Sequence, residues 1–341
     1  MDYFLSDYEQ PRHARLAPNL FAACFPLMKL LPARYMLERA QTAGHLQLGG
    51  PVAETTSGTF GLALAMLAAV RGFDLSLVSA SSLIDKTLRR RLELLGATVH
   101  VIDDREGTGA QRERLQQLNA ILKSRPETFW PRQYDNSDNR LAYGRLAEWM
   151  VRKIGHVDCL VGCVGSGGSL CGTGAFLREV FPDLILIAVD THRSVLFGHS
   201  PGRRQLRGLG NSILPHNLQH EIIDEVHWVG ALPAFAAAHK LHRDNALFMG
   251  PTSGAAALAA QWYARNNPGA TTAVILPDEG YRYQDTVFNN HWLANLDGWP
   301  IADSQDPLTL RRIEPAGEAV WTRMAWGRRS LSARSVGYQA R

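Results

Sequence analysis

The sequence predicts an α/β fold carrying parallel sheet. Two observations support this. From Pro51 to Ile102 short apolar segments alternate with helical ones, and the alternation returns from Val157 to Leu276. The glycine-rich run from Val164 to Gly174 then joins one of these strands directly to the next helix. Successive strand–helix–strand units close as right-handed crossovers onto a parallel sheet. At 341 residues the chain has room for two domains or for one large unit.

Each element follows from its pattern. Residues 27–45 read as a helix, with apolar Leu30, Met36 and Leu37 and a stop at Gly44. Pro51 to Glu54 is a short strand, Gly58 to Arg71 an apolar helix, and Leu75 to Ser79 a strand. Ser82 to Leu95 is a helix closed by Gly96, and Thr98 to Ile102 is the next strand. Residues 106–123 are helical and polar, 126–133 irregular, and 139–154 helical. After the strand 157–164 come a helix over 170–181, a strand over 185–190 and a loop-rich stretch over 192–216. Helices over 232–243 and 254–266 precede the strand 272–276. Beyond about residue 300 the periodicity fails. The Arg-rich sequence there, with Arg311, Arg312, Arg323, Arg328, Arg329 and Arg334, reads as a loosely attached basic tail.

Composition narrows the function classes. An apolar fraction of 45% supports a well-buried core. The net charge of +4 comes largely from the C-terminal arginines, and no aromatic–basic stripe accompanies it, so nucleic acid is not an expected partner. Cys24, Cys159, Cys163 and Cys171 lack zinc-ligand spacing, and no metal is expected. They read as buried thiols in a reducing cytoplasm. The longest apolar run, Phe60 to Val70, is 11 residues, too short to cross a bilayer, and no secretory signal opens the chain.

Three features carry chemistry. In Gly165-Ser166-Gly167-Gly168-Ser169, glycines permit close backbone approach, and the following helix start offers unpaired N–H groups and a positive dipole end. No lysine follows, so it is not a P-loop, and the spacing fits a dinucleotide fingerprint poorly. It reads as a cup for a phosphorylated cofactor or as a plain glycine-rich turn. Of the five lysines, Lys29 alone sits among apolar neighbours (FPLMKLLP). Desolvation lowers an ammonium pKa, as a Schiff-base lysine requires, although a snorkelling lysine has the same surroundings. The stretch from Glu54 to Gly61 joins a strand to a helix with hydroxyls and N–H groups suited to a carboxylate, or to ordinary helix capping. In this order the three suggest pyridoxal phosphate acting on an amino acid.

These motifs resemble the cysteine synthase and cystathionine β-synthase family of pyridoxal-phosphate enzymes, fold type II, over residues 25–295. Lys29 stands at the lysine position and Thr56-Ser57-Gly58-Thr59-Phe60-Gly61 at the TSGNTG-like loop. Gly165 to Ser169 resembles the GTGGT cup, Gln133 to Asn139 the QFSNPAN-like segment, and Gly208 to Asn211 the GIGA loop. Gly250 to Ala256 resembles GISSGAA, and Pro277 to Tyr283 resembles PxSGERY. The resemblance implies a three-layer αβα fold in two domains with mainly parallel sheets, similar to the tryptophan synthase β chain. The small domain would span 26–134, the large one 1–25 with 135–300, and the tail 301–341. The cofactor would lie in the cleft at the strand carboxyl ends, and movement of the small domain would close over substrate. A homodimer acting on a small amino acid is the family expectation, while a cytoplasmic location without nucleic acid or membrane is what composition suggests.

By the same resemblance Lys29 anchors the cofactor and moves the α-proton, and Gly165, Ser166, Gly167, Gly168 and Ser169 hold its phosphate. Thr56, Ser57 and Gly58 hold the substrate carboxylate with help from Gln133, and Gly208 lies beside the site. Departures concern Thr59, where the family has the Asn contacting the cofactor's phenolic oxygen, and Phe60, expected to make the pocket wall more apolar. Leu30 and Leu31 follow the lysine where many members have Asp and Arg. Only 28 residues precede Lys29, without the usual TPL-type segment. Glu279 falls where a Ser or Thr usually faces the pyridine nitrogen. A carboxylate there favours the protonated ring, a stronger electron sink, whereas Glu279 turned to solvent or paired with Arg282 leaves that task to Asp278 or water. The implied reaction is β-elimination and β-replacement on an O-activated serine or on cysteine, with sulfide, a thiol or an amine as nucleophile. A specialised synthase of a non-standard amino acid, a cysteine desulfhydrase and a non-catalytic cofactor-binding regulator are the alternatives.

Overall fold

A computed structural model of the protein describes residues 3–56, 58–107, 109–301, 306–314 and 316–331. From the N-terminus run α1 (Tyr3–Tyr8), β1 (Arg12–Ala17), β2 (Leu20–Cys24), α2 (Leu30–Thr42), β3 (Pro51–Thr55), α3 (Thr59–Arg71) and β4 (Asp74–Ala80). Next come α4 (Lys86–Leu94), β5 (Thr98–Ile102), α5 (Gln111–Ser124), α6 (Asp138–Leu141), α7 (Gly144–Lys153) and β6 (Cys159–Cys163). There follow α8 (Gly168–Val180), β7 (Ile185–Asp190), β8 (Glu225–Val229), α9 (Ala231–Asn245) and α10 (Pro251–Asn266). The last elements are β9 (Thr272–Leu276), α11 (Asn290–Leu293), β10 (Leu308–Thr309) and β11 (Trp321–Ala325). Among the described residues no helix is long and apolar enough to cross a membrane.

The chain divides into two compact units, Met1–Glu9 with Leu27–Ala142, and Gln10–Pro26 with Tyr143–Arg341. The first is built on the parallel sheet β3-β4-β5. Alternate residues of a strand face opposite sides, and two cores result. Leu75 and Leu77 pack with Leu30, Leu37, Leu64, Leu67 and Leu92 of α2, α3 and α4, while Ala53 and Val78 meet Leu118 of α5 on the other face. Each fully buried Leu or Met contributes roughly 1.5–3 kcal/mol. The Asp85 carboxylate accepts the Leu88 N–H at 2.7 Å, which starts α4 later than residue 82. The described residues up to Glu9 group here rather than with the larger unit, because Leu5 enters this core and Glu9 forms a buried ion pair with Arg34. Phe60, expected in a pocket wall, is buried in the same core.

The second unit carries an eight-stranded sheet in the order β1-β2-β9-β6-β7-β8-β11-β10. The five central strands, β2 to β8, are mutually parallel. Val161, Ile187 and Val189 pack with Phe235, Leu241, Ala256 and Ala260 of α9 and α10. On the opposite face α8 lies so close that a Cβ on Gly174 would sit 2.6 Å from the Leu186 side chain. The segment expected as a loose tail is part of this sheet. β11 runs antiparallel to β8, burying Trp321 and Met324. Arg323 pairs with Glu225 at 3.2 Å and stacks on Trp262 at 4.4 Å, and Arg328 pairs with Asp224 at 2.7 Å. Arg334 and the other residues beyond 331 lie outside the described residues.

Candidate active site

In the second unit the parallel strands deliver functional side chains at their carboxyl ends, as open parallel sheets do. β6 runs into Gly165–Gly167, and α8 begins at Gly168. Gly167 has φ +82°, and a Cβ there would lie 2.6 Å from both Leu218 Cα and N, so neither the conformation nor the space admits another residue. Ser166 and Ser169 are buried, and the Ser166 hydroxyl accepts the Gly168 N–H at 3.4 Å. The first-turn amides of α8 supply the donors and dipole an anion needs. The loop's rigid back wall and its donor end fit a phosphate group.

Asn211 ties a second loop to it. Its side chain donates to the Gly165 carbonyl at 3.2 Å, and its N–H donates to the Ser194 hydroxyl at 3.0 Å. Gly208, in that loop, has φ +96°, and a Cβ there would come within 2.4 Å of Thr252 Oγ1. The buried Thr252 hydroxyl donates to the Arg207 carbonyl at 3.1 Å, and the Cys163 thiol donates to the Thr252 carbonyl at 3.2 Å. Gly165, Gly208 and Thr252 thus converge at the heads of α8 and α10. Thr252 carried no role in the sequence reading, although its block GPTSGAA was legible. Asp190, at the end of β7, is fully buried, and burial lifts its carboxyl to about 7.

The Glu279 carboxylate is ion-paired with Arg12 of β1, and its side chain is 19% exposed. The neighbouring Asp278 is the buried acid, at 6%. Its Oδ2 accepts the Tyr283 hydroxyl at 2.9 Å, and its carbonyl accepts the Gly250 N–H at 3.0 Å.

In the first unit Lys29 stands at the N-cap of α2, half-buried, with Leu27, Met28, Leu30 and Leu31 buried around it. Thr56 follows β3, and its hydroxyl accepts the N–H groups of Gly58 at 3.1 Å and Gly61 at 3.0 Å, shaping the turn into α3. Thr59 opens α3 and is half-buried. Ser57 lies outside the described residues. Gln133 is buried and reaches this strand end, its side-chain amide donating to the Thr55 carbonyl at 3.2 Å.

Glu54 went unremarked in the sequence as a functional acid. It is fully buried, and desolvation lifts its carboxyl to about 7 against the pull of hydrogen bonds from Trp130, Gln133 and Thr55. Among the described residues no group of three or more His, Cys, Asp or Glu could hold a metal ion.

Comparison with known proteins places this geometry. A family model described as "Pyridoxal-phosphate dependent enzyme" matches residues 28–278. The N-(2-amino-2-carboxyethyl)-L-glutamate synthase of Ralstonia nicotianae is 32% identical over 269 residues, covering 78% of this chain and 79% of that protein. The enzyme of the same name from Cupriavidus metallidurans is 30% identical over 294 residues, covering 84% and 86%. The crystal structure of O-acetyl serine sulfhydrylase isoform 3 from Entamoeba histolytica has a TM-score of 0.77 at 24% identity, covering 84% of this chain and 90% of that one, which establishes the shared fold. With a phosphate-shaped loop and a family match from just before the lysine to the end of the last parallel strand, the chain belongs to the pyridoxal-phosphate dependent enzymes, in the cysteine synthase type of that fold.

Proposed function

We propose that the protein catalyses β-replacement on an O-activated serine, with the amine of an acidic amino acid as the incoming nucleophile. The observation that carries this is the identity of the two curated relatives, both named as synthases of N-(2-amino-2-carboxyethyl)-L-glutamate, a molecule in which a serine-derived unit is joined to glutamate nitrogen. Arg207 supports an acidic co-substrate. It is exposed, adjoins Gly208, and lies near enough to Tyr283 that its charge opposes the burial-driven rise of that phenol's pKa. A guanidinium is well matched to a carboxylate or a phosphate.

Pyridoxal phosphate, when bound, supplies the electron sink that loosens bonds at the substrate Cα. Lys29 Nζ would hold it covalently, then carry the Cα proton. Gly165 to Ser169 would hold its phosphate through the amides at the start of α8. Thr59 would stand at its phenolic oxygen, donating one hydrogen bond. Thr56, Ser57, Gly58 and Gln133 would hold the substrate carboxylate, with Gly208 beside the reacting groups. Because Glu279 is engaged by Arg12, we assign the ring nitrogen to a hydroxyl from another block, that of Thr252, which would turn from the Arg207 carbonyl to the ring. The four free thiols support work in a reducing cytoplasm, and the family resemblance supports a homodimer.

The test is product analysis. Purified protein receives O-phosphoserine or O-acetylserine with glutamate, aspartate or sulfide, and products are read by mass spectrometry. Formation of the amine adduct, absent with Lys29→Ala together with the visible cofactor band, is expected. Cysteine from sulfide with no amine adduct from either amino acid overturns the proposal.

A further inference from the structure

Glu54 sits one residue before the end of β3 with its carboxylate enclosed by protein. A carboxylate removed from water needs donors on both oxygens. Oε1 accepts the Thr55 N–H at 2.8 Å and the Trp130 indole N–H at 2.9 Å, and Oε2 accepts the Gln133 N–H at 3.1 Å. Gln133 returns a bond of its own to the Thr55 carbonyl at 3.2 Å. Two stretches far apart in sequence are therefore tied in both directions. Backbone pairing leads up to the tie: Phe129 N–H donates to Pro51 O at 2.9 Å and Ala53 N–H to Phe129 O at 3.0 Å.

The second stretch is not naturally at rest. Arg132 adopts φ +56°, a region an L side chain rarely occupies, immediately before Gln133. Its carbonyl takes the N–H groups of Asp135 and Asn136, each at 2.9 Å, and Asn139 donates to the Gln133 carbonyl. The buried Arg114 interacts electrostatically with Glu54, and also with Asp104 and Tyr134. The bend at Arg132 and the placement of Gln133 thus have one common anchor, the Glu54 carboxylate.

We propose that Glu54 is a positioning residue for substrate recognition: it locks Gln133 against Thr55, the residue before Thr56, so that the two stretches meet the substrate α-carboxylate together. This rests on the assignment of Thr56, Gly58 and Gln133 to that carboxylate. Glu54→Gln is close to isosteric, yet its amide nitrogen cannot accept. Whichever way it turns, one side of the tie loses its acceptor and faces a donor instead.

The experiment uses holoenzyme. Steady-state kinetics with the preferred O-activated serine, binding of the carboxylate-free amine O-acetylethanolamine followed by absorbance, and hydrogen exchange of the amides at 55–56 and 130–136 are compared between wild type and Glu54→Gln. The expected result is a KM raised at least tenfold with kcat within threefold, faster exchange at 130–136, and unchanged binding of the carboxylate-free amine. Equal weakening of both ligands, or an unchanged KM, overturns the proposal. If Glu54→Gln does not fold, Glu54→Asp, which withdraws the charge by one methylene, is read by the same assays against the same outcomes. Thr56→Val separates the two levels. A raised KM there with none in Glu54→Gln overturns the positioning role alone, whereas no rise in Thr56→Val overturns the carboxylate assignment and this inference with it.

Discussion

Replacing Gly167 by alanine tests the phosphate loop most directly. Two costs arise. The φ of +82° is left-handed, which costs an L residue roughly 1–2 kcal/mol. The new Cβ would also stand 2.6 Å from Leu218 Cα and N and 2.7 Å from Asn217 C. Carbon atoms rest about 3.5–4.0 Å apart, so backbone must move by roughly 1 Å. Hydrogen bonds to an anion occupy a window of about 2.7–3.2 Å, and a shift of that size removes at least one. A charge-assisted bond is worth about 1.5–3 kcal/mol, or roughly 10- to 100-fold in Kd for pyridoxal phosphate. Titration of apoprotein with cofactor, followed by visible absorbance, measures this, and urea unfolding measures the strain. Gly155→Ala is the control, because Gly155 has φ +88° but nothing within 4 Å of its Cβ. It should lose about 1 kcal/mol of stability and leave cofactor affinity untouched. Equal Kd in Gly167→Ala and wild type would refute the loop's role in holding phosphate.

Arg207→Gln should raise the KM for the acidic co-substrate about tenfold or more, from loss of one charged contact, without changing cofactor affinity; steady-state kinetics with glutamate against a neutral amine decides it. Thr252→Val should shift the visible cofactor spectrum, whereas Glu279→Gln should leave it unchanged because that carboxylate is held by Arg12; spectra of both variants discriminate. Burial lifts Glu54 from an ordinary 4.5 to about 7 in the folded state, so its protonated form favours folding. That stability is complete below pH 4.5 and is lost as pH rises through about 7, a change of about 3 kcal/mol at 1.36 kcal/mol per unit. The unfolding free-energy difference between wild type and Glu54→Gln should follow that curve between pH 4.5 and 8, and a flat difference contradicts it.

The central α/β alternation was legible because apolar periodicity and glycine stops survive in a single sequence. What escaped notice includes β2 and β8 of the central parallel set as well as strands at its flanks. β1 and β11 are flanking strands in antiparallel pairs, and β11 (WTRMA) mixes aromatic and charged residues that read as tail until Trp321 and Arg323 meet partners on β8 and α10. The helix read over 139–154 is broken at Ala142–Tyr143, where the chain passes from one compact unit to the other. No local pattern announces such a passage. The glycine-rich loop and the lysine stood out because their chemistry is local: glycines around a helix start, and an amine among leucines.

Acidic side chains resisted reading for a different reason. Glu54, Asp190, Asp278 and Glu279 look alike in a sequence, yet the fold gives them four environments. Glu279 meets a guanidinium on an edge strand, Asp278 a buried phenol, and Glu54 a set of N–H donors, while Asp190 is carried into the interior by β7. Their charge depends on partners brought from far along the chain, which periodicity cannot report. Two of them, Glu54 and Asp190, are lifted close to neutrality by burial. A protein selected for stability alone has little reason to keep ionisable groups where they cost free energy near working pH. Their presence beside the loop proposed to hold the substrate carboxylate and at the strand ends near the loop proposed to hold phosphate is intelligible when position, not stability, is what they supply. On this view the spare acid chemistry of the fold serves alignment, and proton transfer at the substrate is left to Lys29.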